Sequence, residues 1–316
     1  MFQRKVSQVT QVTQPAYGYL MSYFTGEQYQ NGEQIYFALS RDGLHFKALH
    51  DNKPVVTNQL GTHGARDPFL FQTQTGDYVL LATDLRMYGH TEPGAWTRAE
   101  VDGSDQLLVW HSKDLVTWDQ GKTVTLGPHF GCVWAPEAIF DPDHGDDRLF
   151  WSATDTTENP KRLRIYSAHT KDFQHFTTPE VYLNDATYDV IDLDVVAADD
   201  GFYRFWKLNQ RGQVVMDRVA HLDDAAGHPI ESTYLTSMQR VEGPQVYQLP
   251  DGQWCLLLDQ VNHDVRAYVP ALTDDLASGQ FTQPSAGTYQ LPDRPRHGSV
   301  LPIDQAAYAR LIKRWQ

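Results

Sequence analysis

The sequence predicts an all-β fold, a five-bladed β-propeller built as one domain over residues 1–316, and three observations predict it. A unit of roughly 50 to 70 residues recurs, with an apolar strand start, a Gly or Asp turn leading into an aromatic strand, and a later strand ending in a polar-aromatic tag. Short strands at that period suit four-stranded blades better than solenoid coils, and helical periodicity is almost absent. Finally, the first unit lacks an opening strand and a spare strand stands near the C-terminus. That last strand is expected to complete the first blade and close the ring, leaving no exposed edge.

The first unit supplies two strands, around Tyr19 and Phe37, and the tag at 40–46. Later units open with Arg66-Asp67-Pro68-Phe69-Leu70-Phe71, Pro136-Glu137-Ala138-Ile139-Phe140, Ile191-Asp192-Leu193-Asp194-Val195-Val196 and Glu242-Gly243-Pro244-Gln245-Val246-Tyr247. Each opening is followed by a hairpin signal, Gly or Asp before an aromatic run, as in Thr75-Gly76-Asp77-Tyr78 and Asp200-Gly201-Phe202-Tyr203. Tags stand at 112–118, 170–176 and 273–276, with a weaker Leu222-Asp223-Asp224 in the remaining unit. The closing strand is His297-Gly298-Ser299-Val300-Leu301-Pro302-Ile303. Ala, Tyr, Leu and Ile at helical spacing predict one helix, from Gln305 to Trp315.

A hydrophobic content of 41% with 12% aromatics is enough for a large core, and no apolar run is long enough to span a membrane. The formal net charge of -14 is spread along the chain, which disfavours polyanions; neither nucleic acid nor a membrane is an expected partner. The stretch Met1-Phe2-Gln3-Arg4-Lys5-Val6-Ser7-Gln8 has positive charge but no apolar segment of a secretion signal, so a cytoplasmic protein is expected, with Cys132 and Cys255 as thiols. The acidic stretch 141–147 resembles a calcium loop but lacks the terminal glutamate, and reads as a hairpin turn.

Equivalent positions of innermost propeller strands meet at one rim, so Asp67, Glu137, Asp192 and Glu242 are expected to converge there. Carboxylates gathered in a partly dry funnel raise one another's pKa, which lets one hold a proton while another stays ionised. Glycosidic cleavage needs that division: an acid for the leaving oxygen and a base for water. No phosphate-cradling loop, nucleophile elbow or paired Cys-x-x-Cys is present.

The ordered set Ala65-Arg66-Asp67-Pro68, Val133-Trp134-Ala135-Pro136-Glu137, Val190-Ile191-Asp192, Val241-Glu242-Gly243-Pro244 and Arg296-His297-Gly298-Ser299-Val300 resembles glycoside hydrolase family 43, across nearly the whole chain. The resemblance implies an inverting enzyme in which Asp67 is the general base, Glu242 the general acid and Asp192 the carboxylate that tunes and orients the acid. Ile-Asp-Leu-Asp stands where Ile-Asp-Pro is commoner, so Asp194 is a rival for Asp192's role. The Arg-Asp-Pro also resembles the fructan-cleaving propellers, in which that aspartate stabilises the transition state. Glu137 is read as supporting rather than catalytic.

Trp134 is expected against sugar, and Arg66 and Arg296 either bind substrate hydroxyls or pair with the carboxylates. His297 lines the channel, where the resemblance places an ion, typically calcium held through waters; the alternative is a hydrogen-bonded imidazole. No cofactor is expected in the chemistry. The start at Gly32-Glu33-Gln34-Ile35-Tyr36 and the insertion from Met87 to Gln106 are similar to members that release arabinose from arabino-oligosaccharides. Tyr88, His90, Trp96 and Arg98 of that insertion either wall off one end of the cleft or form a contact in a homo-oligomer. The implied activity is an exo-acting α-L-arabinofuranosidase, with β-xylosidase, endo-arabinanase or a non-catalytic sugar binder as alternatives.

Overall fold

A computed structural model describes residues 16–261 and 266–316, so the segment read above for a secretion signal lies outside the described residues. The apolar and aromatic runs form β1 (Gly18–Phe24), β2 (Tyr36–Ser40) and β3 (Lys47–Ala48). The second unit gives β4 (Arg66–Gln72), β5 (Tyr78–Thr83), β6 (Gln106–Ser112) and β7 (Lys122–Thr125). The third gives β8 (Trp134–Asp141), β9 (Asp146–Thr154), β10 (Leu163–Thr170) and β11 (Glu180–Leu183). The fourth gives β12 (Val190–Ala198), β13 (Gly201–Leu208), β14 (Gln213–Val219) and β15 (His228–Ile230). The fifth gives β16 (Val241–Gln248), β17 (Trp254–Gln260) and β18 (Tyr268–Thr273), and the last strand is β19 (Arg296–Ile303).

These strands form five antiparallel sheets, ordered β19-β1-β2-β3 (blade I), β4 to β7 (II), β8 to β11 (III), β12 to β15 (IV) and β16 to β18 (V). The C-terminal strand thus completes the N-terminal blade as the sequence predicts, with Gly18 opposite Ile303 and Ser22 opposite Ser299. Closure matters because the apolar surface lies between blades. One core joins Leu20 and Phe37 of blade I to Leu80 and Trp110 of blade II, and another joins Leu81 and Val109 to Trp151 and Tyr166 of blade III. Similar cores join blades III to IV, IV to V and V back to I.

The tags prove to be turns that follow the third strand of a blade. Ser112 Oγ accepts from Leu115 N at 2.9 Å while Asp114 Oδ1 accepts from Val116 and Thr117 N, and Thr170 and Asp172 repeat the pattern. These side chains satisfy the turn backbone, so Leu115 and Phe173 adopt positive φ and still bury their side chains. The predicted terminal helix is α3 below; two shorter helices were not anticipated. These are α1 (Ala95–Val101) and α2 (Thr233–Ser237), too short to show periodicity, and α1 lies inside the insertion at 87–106. In α3 (Gln305–Trp315) the side chain of Asp304 caps Ala307 N, and Ala307 and Leu311 enter the blade I core. Cys132 and Cys255 are separate buried thiols. Among the described residues no helix is long and apolar enough to cross a membrane.

Candidate active site

Every innermost strand breaks its register near its start. The slips fall between Arg66 and Phe69, Trp134 and Glu137, Ile191 and Asp194, and Glu242 and Gln245, and β19 slips where it passes from Phe24 to Ser22 of β1. Each is a β-bulge, which re-aims side chains. The second residue of four bulges is left-handed: Asp67 (φ 50°), Ala135 (48°), Asp192 (56°) and Gly243 (51°). A non-glycine residue there costs roughly 1 kcal/mol, so its neighbours must hold it.

The preceding blade does this. Thr83 Oγ1, opposite Arg66, accepts from Ala135 N at 2.8 Å; Ser152 Oγ, opposite Trp134, accepts from Asp192 N at 3.1 Å; and Asp259, opposite Glu242, accepts from His297 N at 3.1 Å. Gly243 N donates to Asp192 Oδ2 itself at 3.1 Å. A Cβ on Gly243 would fall 2.4 Å from His297 Cγ, so this position combines positive φ with a close approach that glycine alone meets.

The bulges gather the second-position side chains. His297 Nδ1 lies 3.5 Å from Asp67 Oδ1 and 4.0 Å from Asp192 Oδ1, and Thr83 Oγ1 donates to Asp67 Oδ2 at 2.9 Å. Beside them the first-position residues pair: Arg296 Nη2 donates to Glu242 Oε1 at 3.1 Å, and Lys207 Nζ to Glu242 Oε2 at 2.7 Å. Arg296 is fixed from behind by Asp259, through Nε at 2.8 and 2.6 Å. Its Nη1 has no hydrogen-bond partner among the described residues.

Glu242 and Asp192 therefore occupy unlike fields. Burial raises the Glu242 carboxyl, but Lys207, Arg296 and His297 outweigh it and bring it down to about 2. Asp192 goes the other way: burial pushes it up to about 6, with Glu242 and Asp67 adding to the rise and His297 and Lys207 opposing it. The site holds a carboxylate kept ionised next to an acid able to keep a proton near neutrality.

The expectation that four acids share one register needs correction at Glu137. Asp67 and Asp192 hold the second bulge position, Glu242 the first, and Glu137 the fourth, deeper in the channel. Fourth-position groups form a girdle between blades: Glu137 Oε1 accepts from Val195 N at 2.5 Å, Asp194 Oδ2 from Val246 N at 2.8 Å, Gln245 Oε1 from Val300 N at 2.9 Å and Ser299 Oγ from Leu70 N at 2.7 Å. Phe69 fills the fifth place and has no acceptor to offer. Asp194 also accepts from Gln245 Nε2 at 2.7 Å, so it belongs to the girdle while Asp192 stands beside Asp67 and His297. Burial, then the charge of Asp194, push Glu137 well up, and burial raises Asp194 to about 7.

Arg66 is buried and donates through Nη1 to Glu33 Oε1 at 3.0 Å and Glu27 Oε2 at 3.3 Å. Glu33 in turn accepts from Met87 and Tyr88 N, which anchors the 87–106 insertion at this corner. Trp96 of α1 lies over the Arg66 guanidinium at 5.2 Å, and half-buried Trp134 packs against the cluster of Leu85, Met87 and Ala99. The insertion thus sits beside the carboxylates. Sequence reasoning missed Lys207, Asp259, Thr83 and Glu33. Lys207 and Asp259 had a signal, a single charge inside the apolar runs Phe205-Trp206-Lys207-Leu208 and Leu256-Leu257-Leu258-Asp259; the other two had none. Around His297 the protein presents one imidazole beside two carboxylates.

Comparisons with known proteins bear on the family and the fold. Residues 14–309 match the sequence profile of a family described as a probable glycosyl hydrolase domain related to glycoside hydrolase family 43. The chain is 31% identical over 220 residues to an α-L-arabinofuranosidase of Bifidobacterium longum subsp. longum, a match that spans 63% of this chain and 20% of that longer protein. Among solved structures, a thermostable family-43 glycoside hydrolase superposes with a TM-score of 0.55 at 18% identity, over 77% of this chain and 81% of that one. An endo-arabinase from Bacteroides thetaiotaomicron superposes with a TM-score of 0.51 at 15% identity, over 76% and 94%. At such identities the superpositions speak to the propeller fold.

Proposed function

Because the chain belongs to the glycosyl hydrolases related to family 43, we propose that this glycosidase is an inverting, exo-acting α-L-arabinofuranosidase that releases terminal arabinose from short α-1,5-linked arabino-oligosaccharides. The observation that carries the sugar is the 31% identity to the Bifidobacterium arabinofuranosidase. The exo mode rests on the insertion, whose anchoring by Glu33 beside Arg66 suits a pocket better than an open groove.

In this reading Asp67, with Thr83 on one oxygen, takes the proton of the attacking water. Glu242 delivers a proton to the leaving oxygen. Since Lys207 and Arg296 favour its ionised form, the proton of the resting site resides on Asp192, and sugar hydroxyls that engage Lys207 and Arg296 release Glu242 to accept it. Inversion needs room for a water between base and acid, a carboxyl separation of roughly 6.5 to 9.5 Å. No step is assigned to a metal in the channel.

The test compares kcat/KM for p-nitrophenyl α-L-arabinofuranoside and β-D-xylopyranoside. Arabinofuranose carries an exocyclic hydroxymethyl that xylopyranose lacks, so a pocket built for one leaves polar groups unpaired with the other. Preference for the arabinoside, with arabinose as first product and inverted anomer by proton NMR, is expected. Preference for the xyloside, or arabinobiose and arabinotriose as first products from arabinan, would overturn the reading.

A further inference from the structure

We propose that Asp141, His144, His169 and Asp223 form a binding site for a zinc-like divalent transition ion that clamps blade III to blade IV. One ligand atom from each lies within 4.8 Å of all the others. Asp141 ends β8, His144 sits in the β8–β9 turn, His169 lies on β10, and Asp223 follows β14 in the next blade. Since β8 starts at the bulge, its last residue stands about 20 Å along the strand, at the rim away from the carboxylates.

The hairpin accounts for only half of Asp141. Its Oδ1 accepts from Asp143 N at 3.0 Å and His144 N at 3.4 Å, as a turn carboxylate does. Its Oδ2 is buried without a hydrogen-bond partner among the described residues, in a residue 1% exposed. The nearest cation, Arg148 Nη1, is 3.7 Å away and is committed to Asp223 Oδ1 at 2.7 Å. A buried carboxylate oxygen without a donor is costly, and an ion held in the cluster would satisfy it.

The other groups are arranged as ligands. His169 Nδ1 faces Asp146 Oδ1 at 2.8 Å, which fixes the ring and leaves Nε2 for a ligand bond. His144 Nε2 meets Asp223 Oδ2 at 2.7 Å, a pair that an ion would join in place of the shared proton, and the two imidazole centroids are 4.3 Å apart. Arg148 holds the opposite oxygen of Asp223 and so orients that carboxylate. Two imidazoles and two carboxylates suit tetrahedral zinc and its neighbours, whereas calcium prefers oxygens alone. The two carboxylates neutralise the charge of the ion. Beside the cluster His221 Nδ1 meets Asp143 Oδ2 at 2.7 Å, a second tie between the same blades.

The experiment uses the full chain without a histidine tag, stripped with chelator and titrated with zinc sulfate at neutral pH by calorimetry, with melting followed in parallel. One zinc per chain at a micromolar Kd is expected, and at about 100 times Kd a gain of several degrees in Tm. Cobalt(II) should give the visible absorption of a four-coordinate ion. H144Q/H169Q should lose the zinc stoichiometry and the Tm gain, and D223N, on an exposed loop of the other blade, should weaken binding at least about tenfold. Absence of saturable zinc binding in the parent, zinc binding undiminished in these variants, or calcium bound as well as zinc would each overturn the proposal.

Discussion

Glu242 lies between two cations while Asp192, one blade away, is buried with weaker compensation, and this contrast governs what substitutions at the residue scale should do. Asp67→Asn and Glu242→Gln are each expected to lower kcat by about two to four orders of magnitude, the usual effect of losing a general base or acid, with a lowered Tm in Glu242→Gln because it leaves buried Lys207 and Arg296 without their carboxylate. A substrate with a good leaving group should rescue only the Glu242 variant, and azide should rescue only Asp67→Ala; intact turnover in a folded variant would reject the roles. Asp192 has its carboxyl raised to about 6, so the proton it stores is present below that pH and lost above it. The kcat/KM of the parent should therefore fall as pH rises past about 6. Replacing Lys207 by Met removes a charge that favours ionised Glu242, and the fall should move to higher pH in that variant. A pH profile unmoved by Lys207→Met would show that the limb belongs to another group.

At the scale of elements, the bulges and the girdle are two parts of one device. The bulge aims Asp67, Asp192 and His297 at the channel, and the side chains behind it tie each inner strand to the next blade. Ser299→Ala would orphan the buried Leu70 N–H and is expected to cost about 1 to 3 kcal/mol in denaturant melts. Glu137 and Asp194 behave differently because both carboxyls are raised by burial. An acid with a raised folded pKa binds more protons folded than unfolded, so its effect destabilises the fold as pH rises from about 4 through about 7. Glu137→Gln keeps an oxygen for Val195 N and cannot ionise. It should match the parent near pH 4 and be the more stable of the two at pH 8; a parallel stability-versus-pH curve would show that Glu137 binds protons alike in the folded and unfolded states.

For the whole molecule, stability is a property of the ring. Since apolar cores lie between blades, no blade buries its faces alone, and β19 holds together two of those junctions through Ile303 and Val300. Deleting residues 296–316 should therefore abolish cooperative melting altogether, and also remove Arg296 and His297 from the site. Retention of a single sharp transition by that truncation, measured by circular dichroism, would show that the ring closes without β19. Leu311→Ala at the base of α3 is a milder probe, expected to cost about 2 to 5 kcal/mol through its cavity.

The sequence by itself determined the blade count, the strand that closes the ring, the terminal helix, the unpaired state of the two cysteines and the carboxylates Asp67, Asp192 and Glu242 as members of one site. Each is a local matter: period-two apolar runs, Gly and Asp at turns, and motifs repeated once per blade. Tertiary structure alone decided register and field. A bulge shifts side chains by one place, and so separated Glu137 and Asp194, at the fourth position, from Asp192 at the second, although all sit at similar places in similar motifs. It brought Lys207 and Asp259, isolated charges in apolar strands, against Glu242 and Arg296, and it set Asp223 of blade IV beside three ligands of blade III. Electrostatic character depends on distances of a few ångströms between residues far apart in the chain, and in a closed ring those distances exist only once the last strand has paired with the first.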